Sequence, residues 1–178
     1  QLKKVDSVML HSDGNLHTYC DKIAPFLESL VKRGYTDMVG ASVYYADEVE
    51  KFLQFDAFQI IQLPMNIFDQ RLIAGGWIQK LSAKNAVVCV RSVFLQGLFF
   101  MDPDRFTDPG LSEFAAAPLK RLRVLAEAEG MTVPEFAIAY IRDLEGVTSL
   151  VLGADTAKQV ESNVRFFETR PISEKTRA

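Results

Sequence analysis

Short apolar runs punctuate this chain, and between them apolar residues recur at helical spacing. Residues 5–11 read as a strand that ends in a histidine, and Ser12-Asp13-Gly14-Asn15 has the composition of a turn. From Asp21 the spacing of Ile23, Phe26, Leu27, Leu30 and Val31 predicts a helix with Pro25 in its first turn, closed by Gly34. A strand over 38–43 follows, then a helix over 47–55 with Val49, Phe52 and Leu53 on one side. The run 58–63 predicts a third strand, stopped by Pro64 because proline donates nothing to a sheet ladder. A helix over 69–83, weakened by Gly75-Gly76, leads to a fourth strand over 86–90.

An irregular stretch over 95–113 comes next, with turns at Asp102-Pro103 and Asp108-Pro109-Gly110. Loops of that length inside compact domains are commonly functional. A helix over 118–129 is expected to bury Leu119, Leu122, Leu125 and Ala126. Thr132-Val133-Pro134-Glu135 is a capping box for a helix burying Phe136, Ala137, Tyr140, Ile141 and Leu144. A fifth strand over 148–152 turns through Gly153-Ala154-Asp155-Thr156 into a last helix, capped by Asp155 or Thr156 and burying Val160, Val164 and Phe167. Residues beyond Pro171 read as a tail.

Strand and helix thus alternate five times, with one extra helix before the fifth strand. Alternation of this kind means βα units and a parallel α/β sheet. Two architectures satisfy it: a five-stranded doubly wound sheet, or five units of a (β/α)8 TIM barrel, whose full form takes about 250 residues. In either case ligands bind past the carboxyl ends of the strands. Gln62, Asn66, Arg91, Ser92 and Gln96 stand just there, at the ends of the two runs that organise the middle of the chain.

Composition narrows the classes. With 178 residues, 48% hydrophobic and 24% charged, the chain can bury a core as a single domain. A net charge of -3 and no basic run argue against nucleic acid or an anionic membrane as the main partner. Cys20 and Cys89 make no disulfide framework, and with two histidines they lack the spacing of a zinc site. No run approaches the roughly 20 apolar residues of a membrane span, and no signal-peptide pattern opens the chain, so a cytoplasmic protein is the default.

Five motifs in order resemble the aldo-keto reductase family: residues 5–11 (VDSVMLH), 39–42 (VGAS), 61–66 (IQLPMN), 90–98 (VRSVFLQGL), and 151–154 (VLGA) followed by 159–163 (QVESN). Each alone is short; the ordered set spans nearly the whole chain. The resemblance implies a (β/α)8 TIM barrel of which this chain supplies the last five βα units, in one domain over 1–178. It also implies that additional N-terminal sequence belongs to the same barrel. The chain opens without methionine, and strands 5–10 and 148–152 would otherwise be open edges.

The implied activity is NAD(P)H-dependent reduction of a carbonyl (an aldehyde, ketone or sugar) to an alcohol. In such enzymes a tyrosine, tuned by a lysine and an aspartate, supplies the proton, and a histidine lies beside the carbonyl oxygen. His11 matches the histidine. The other three are missing, since no Asp-Thr-Ala segment followed by Tyr-Gly is present, and Tyr44 and Tyr45 follow the wrong strand.

On the cofactor side, Ser42 and Gln62 match the positions that hold the nicotinamide carboxamide. Val43 stands where the family often has asparagine. Arg91 matches the position that stacks on the nicotinamide ring; its other reading is an ion pair with Asp69. Ser92, Phe94, Gln96 and Gly97 would line the pyrophosphate path. Gly153, Ala154 and Asp155, with Thr156, would present backbone N–H groups at a helix start, and Gln159 and Asn163 match positions near the adenosine. NADPH is the family habit; NADH is the alternative, because no basic residue stands at Gly153 or Gln159 and only Lys158 is next door.

Plainer readings stand beside these. Asn66 reads as a turn residue, Ser42 and Ser92 as partners for backbone groups, Asp6 as half of an ion pair, His17 as solvated in a loop, Trp77 as packing, and the acidic 102–108 loop as solvated. The competing functions are a nucleotide-binding or redox-sensing module with a reductase-like fold, and a flavodoxin-like domain, for which 12–15 is a poor phosphate loop. Substrate and oligomeric state are open.

Overall fold

The computed structural model of the protein describes residues 3–11 and 15–177, and within the first helix it leaves the side chains of residues 15 and 17–21 undescribed. The turn expected over 12–15 therefore falls outside the described residues except for Asn15, as do the side chains of His17 and Cys20. Two compact units divide the chain: Gln1–Arg91 with Glu145–Val151, and Ser92–Leu144 with Leu152–Ala178.

The first unit carries the whole sheet. Its strands are β1 (Val5–His11), β2 (Thr36–Ser42), β3 (Phe58–Pro64), β4 (Val87–Arg91) and β5 (Ser149–Leu150). All pairs are parallel, and the spatial order follows the chain order β1-β2-β3-β4-β5. A doubly wound sheet needs a point where strand order reverses. This sheet has none, so its topology is that of consecutive barrel strands. Pro64 does not stop β3 but is its last residue, opposite Arg91.

Helices α1 (Asn15–Lys32), α2 (Ala46–Leu53), α3 (Arg71–Ala74) and α4 (Trp77–Ala83) belong to this unit. Val39, Ala41, Val43, Ile61, Leu63, Val88 and Val90 are all at most 1% exposed. They occupy alternate positions of β2, β3 and β4, the face on which Phe52 of α2 meets Phe58 with ring centroids 5.6 Å apart. The intervening positions, including Gly40, Ser42, Ile60, Gln62, Cys89 and Arg91, form the other face.

Between those faces β2 and β3 change register at Val39/Gly40, where Phe58 pairs with Val39 but Ile60 with Gly40. A Cβ on Gly40 would lie 1.6 Å from the Ile60 carbonyl oxygen. Glycine is required there by a close approach of two backbones, and the shift brings Ser42 opposite Gln62.

Several expected helices differ. α1 starts at Asn15 rather than Asp21, which puts His17 in a helix instead of a loop and Pro25 inside the helix rather than in its first turn. Phe26 is exposed; Leu16, Ala24 and Leu27 carry the buried face. The helix expected over 69–83 is two, because Gly76 adopts a left-handed conformation (φ 69°) that ends α3 and starts α4.

The second unit holds α5 (Pro109–Ala128), α6 (Val133–Arg142), α7 (Ala157–Phe167) and α8 (Glu174–Arg177), with short 3-10 turns over Leu95–Phe100 and Pro103–Arg105. The 95–113 stretch is therefore less irregular than expected: α5 begins at Pro109, capped by Asp108 Oδ1 accepting from the Leu111 N–H at 2.6 Å, and Pro118 lies in its interior. Leu119, Leu122 and Ala126 are buried as expected, but Leu125 is 46% exposed. α6 buries Phe136, Ala137 and Ile141, while Tyr140 and Leu144 are only partly covered.

α7 departs most from expectation. Val160, Val164 and Phe167 are all about half exposed, and no residue of this helix is buried. The residues beyond Pro171 are not a loose tail either. Ile172 is buried, and Glu129 accepts hydrogen bonds from Ser173 Oγ (2.5 Å), Thr176 Oγ1 and Arg170 Nη1 (3.3 Å).

Candidate functional site

In the first unit, parallel pairing carries one row of polar side chains across the carboxyl ends of the strands. His11 pairs with Ser42, Ser42 with Gln62, Gln62 with Cys89, and Pro64 with Arg91. Register partners in a parallel sheet point to the same side, as do residues two apart on one strand. His11, Ser42, Gln62 and Arg91 therefore share one face and one end of the sheet. Ser42 is buried, Gln62 and Arg91 are half-buried, and His11 is exposed.

The Ser42 hydroxyl donates to Gln62 Oε1 at 3.3 Å. A primary amide needs one acceptor and one donor. A glutamine amide beside a hydroxyl supplies both, so the chemistry of this pair fits a nicotinamide carboxamide. Val43, the residue after Ser42, is fully buried on the opposite face.

Arg91 is held by the loop after β2. Its Nη2 donates to the Val43 carbonyl at 3.3 Å, and its guanidinium carbon lies 4.2 Å from the centroid of the Tyr44 ring. Glu48 fixes that loop in turn. Its carboxylate, 2% exposed, accepts from the N–H groups of Tyr44 (2.7 Å) and Tyr45 (3.1 Å). The alternative partner for Arg91, Asp69, is gripped by Arg71 through Nε (2.7 Å) and Nη2 (2.8 Å), and this hydrogen-bonded pair holds the Asp69 carboxyl below its usual range. Asn66, 1% exposed, accepts from the Phe68 and Asp69 N–H groups at 2.9 and 3.0 Å, which makes it the turn residue it reads as.

A cavity of about 420 Å³ opens at the other end of β2, β3 and β4, lined by Met38, Asp56, Phe58, Gln59, Lys84, Asn85 and Val87. In parallel barrels that end serves stability and the carboxyl end carries chemistry. The polar row, not this cavity, is the candidate site.

The remaining candidates lie in the second unit. Ser92, Leu95 and Gln96 all have positive φ (62°, 47° and 54°), as does Gly97 at 91°. Each such non-glycine residue costs about 1–3 kcal/mol, and residues of this kind gather where backbone shape serves function. The segment is tied by Leu95 N–H to Ser92 O (2.9 Å) and Gly97 N–H to Phe94 O (3.0 Å). Phe94 packs edge-on against Phe100 (4.9 Å) and Phe166 of α7 (6.4 Å), so its ring belongs to an aromatic cluster.

At the start of α7, Gln159 and Asn163 brace the turn. Gln159 Oε1 accepts from the Asp155 and Thr156 N–H groups at 2.5 and 3.2 Å, and Thr156 Oγ1 accepts from the Gln159 N–H at 3.2 Å. Asn163 Nδ2 donates to the Gly153 carbonyl at 3.2 Å. Thr156, not Asp155, is the cap. Two of the backbone donors expected here for an anion are thus taken up by Gln159, while Gly153, Ala154 and Asp155 are exposed.

Sequence reasoning missed the Tyr44–Arg91 stack and the Glu48 anchor. The second had a signal: glutamate three residues past the last residue before a helix is a reach-back position. The first had none, because it joins two strands' ends 47 positions apart.

Comparison with known proteins bears on both halves. A model of the aldo/keto reductase family matches residues 1–178. Among solved structures, an aldo-keto reductase from Bacillus halodurans in its holo form superposes with a TM-score of 0.82 at 22% identity, over 98% of this chain and 59% of that one. A glycerol dehydrogenase from Gluconobacter oxydans gives a TM-score of 0.78 at 24% identity, over 98% of this chain and 57% of that one. At such identities the likeness is one of fold: five parallel βα units of the reductase barrel. The chain spans under two thirds of the length of the structures it matches.

Proposed function

The chain belongs to the aldo/keto reductase family, and from that premise we propose that the protein is an NAD(P)H-dependent oxidoreductase that reduces a small carbonyl compound to an alcohol, the 178 residues forming part of one reductase-like domain. The observation that carries this reading is the row His11, Ser42, Gln62 and Arg91 on one face at the carboxyl ends of four consecutive strands. The nicotinamide cofactor supplies the hydride when bound. Ser42 and Gln62 hold and orient an amide through their paired donor and acceptor groups. His11 donates a hydrogen bond to the substrate carbonyl oxygen and orients it where negative charge develops. Arg91 lays its guanidinium plane against the nicotinamide ring.

In the second unit, the strained 92–97 segment, with Ser92, Phe94, Gln96 and Gly97, shapes the pyrophosphate path. By the same resemblance Gly153, Ala154 and Asp155 form the helix start proposed for an anion, and Gln159 and Asn163, which brace that turn, lie toward the adenosine. NADPH is the proposed cofactor, with NADH the alternative. Absorbance of reduced nicotinamide, followed with small aldehydes, tests the proposal: aldehyde-dependent consumption supports it. Dinucleotide binding without turnover favours the second reading, a nucleotide-binding module.

A further inference from the structure

We propose that Arg91 makes the site hold its nicotinamide cofactor more tightly when the ring is reduced and neutral than when the ring is oxidised and cationic, with Tyr44 as the residue that positions the guanidinium. This rests on the dinucleotide reading above and deepens it. Arginine is always charged, whereas Ser42 and Gln62 in the same row carry no charge. The guanidinium is not left to choose its place: the Val43 carbonyl takes one Nη2 hydrogen at 3.3 Å, and the Tyr44 ring supports its carbon at 4.2 Å. Tyr44 is in turn fixed through its backbone N–H by the buried Glu48 carboxylate.

A fixed positive charge facing a nicotinamide ring acts differently on its two oxidation states. The oxidised ring is a cation and is repelled; the reduced ring is neutral and is not. Unit charges about 4 Å apart repel by about 1 kcal/mol in bulk water and by about 4 kcal/mol at the effective dielectric of a protein surface. That corresponds to about fivefold to a thousandfold in affinity. An aromatic side chain in place of Arg91 would offer its negative ring face and carry no such bias. A site of this kind releases oxidised cofactor readily and remains loaded with the reduced form.

The test titrates reduced and oxidised cofactor separately onto the protein and its variants by calorimetry. Its readout is the ratio of the two dissociation constants, oxidised over reduced. In Arg91→Met the ratio is expected to fall at least about fivefold, chiefly through tighter binding of the oxidised form. Arg91→Gln repeats the measurement with a polar neutral side chain should the methionine variant fold poorly. Arg91→Lys keeps the charge and preserves most of the ratio. Tyr44→Leu lowers it part of the way, and Tyr44→Phe restores it because only the ring face is used. An unchanged ratio in both neutral variants, or an equal loss of both forms, overturns the proposal while leaving the dinucleotide reading intact. Failure of the unaltered protein to bind either form overturns that reading, and the proposal with it.

Discussion

His11 and Gly40 show how single residues set this site. His11 closes β1 directly opposite Ser42, and its proposed work is done on the substrate rather than on the cofactor. His11→Ala is therefore expected to lower kcat about a hundredfold or more while leaving cofactor affinity nearly unchanged. Parallel measurement of turnover and cofactor binding checks this, and equal losses in both would contradict the role. Gly40 acts at a distance from any chemistry. Its missing Cβ lets the Ile60 carbonyl approach, and the resulting register shift aligns Ser42 with Gln62. Gly40→Ala is expected to destabilise by more than about 4 kcal/mol, a size reserved for backbone clashes and comparable disruptions. Chemical denaturation gives the value; a loss within experimental error would show that β2 and β3 can separate without cost.

At the scale of elements, local chemistry decides most boundaries. α6 begins where its capping box says, with Glu135 Oε2 accepting from the Thr132 N–H at 2.7 Å. α7 uses the same device with Thr156 and Gln159, but it has no buried residue to support it. Its cap is therefore a large part of what keeps it helical. Thr156→Ala is expected to cost about 1 kcal/mol and to loosen the turn that Gln159 braces, visible as faster amide exchange over 155–160. Unchanged exchange there would mean that the turn is held by other contacts. The same helix shows where periodicity misleads. Val160, Val164 and Phe167 fall on one stripe, and the pattern says that such a stripe is covered without saying by what.

At the scale of the whole molecule, the last residues are an integral part of the second unit. Glu129, with a side chain only 7% exposed, gathers Ser173, Thr176 and Arg170, while Arg177 donates to the Ala139 and Tyr140 carbonyls at 3.1 and 3.2 Å. Hydrogen bonds from Ser173 first and Thr176 next pull the Glu129 carboxyl down to about 2. A carboxyl depressed in the folded state stabilises fully above its unfolded value, near 4.5, and that stabilisation is lost as pH falls toward about 2. Amide protection of residues 173–177 should therefore drop between about pH 4.5 and 2. Glu129→Gln should lower it at neutral pH and flatten the acid dependence; a variant that keeps the same acid profile would assign the transition to another group. No helix among the described residues is long and apolar enough to cross a membrane.

The alternation of apolar runs and helical spacings was enough to establish the parallel α/β class, the five strands and the residues at their carboxyl ends, because side-chain period and turn chemistry are local properties of a chain. Of the candidate row, Gln62 and Arg91 were legible for the same reason, standing at the ends of the two apolar runs, whereas His11 and Ser42 entered as site residues through the resemblance of their motifs. Tertiary structure alone decided the rest. Strand order excluded the doubly wound sheet, a close backbone approach at Gly40 fixed which polar residues face one another, and the Tyr44 ring took Arg91. Burial of α7's apolar stripe and the freedom of the last residues were misread, since both depend on surfaces brought from elsewhere in the chain, which no local pattern encodes.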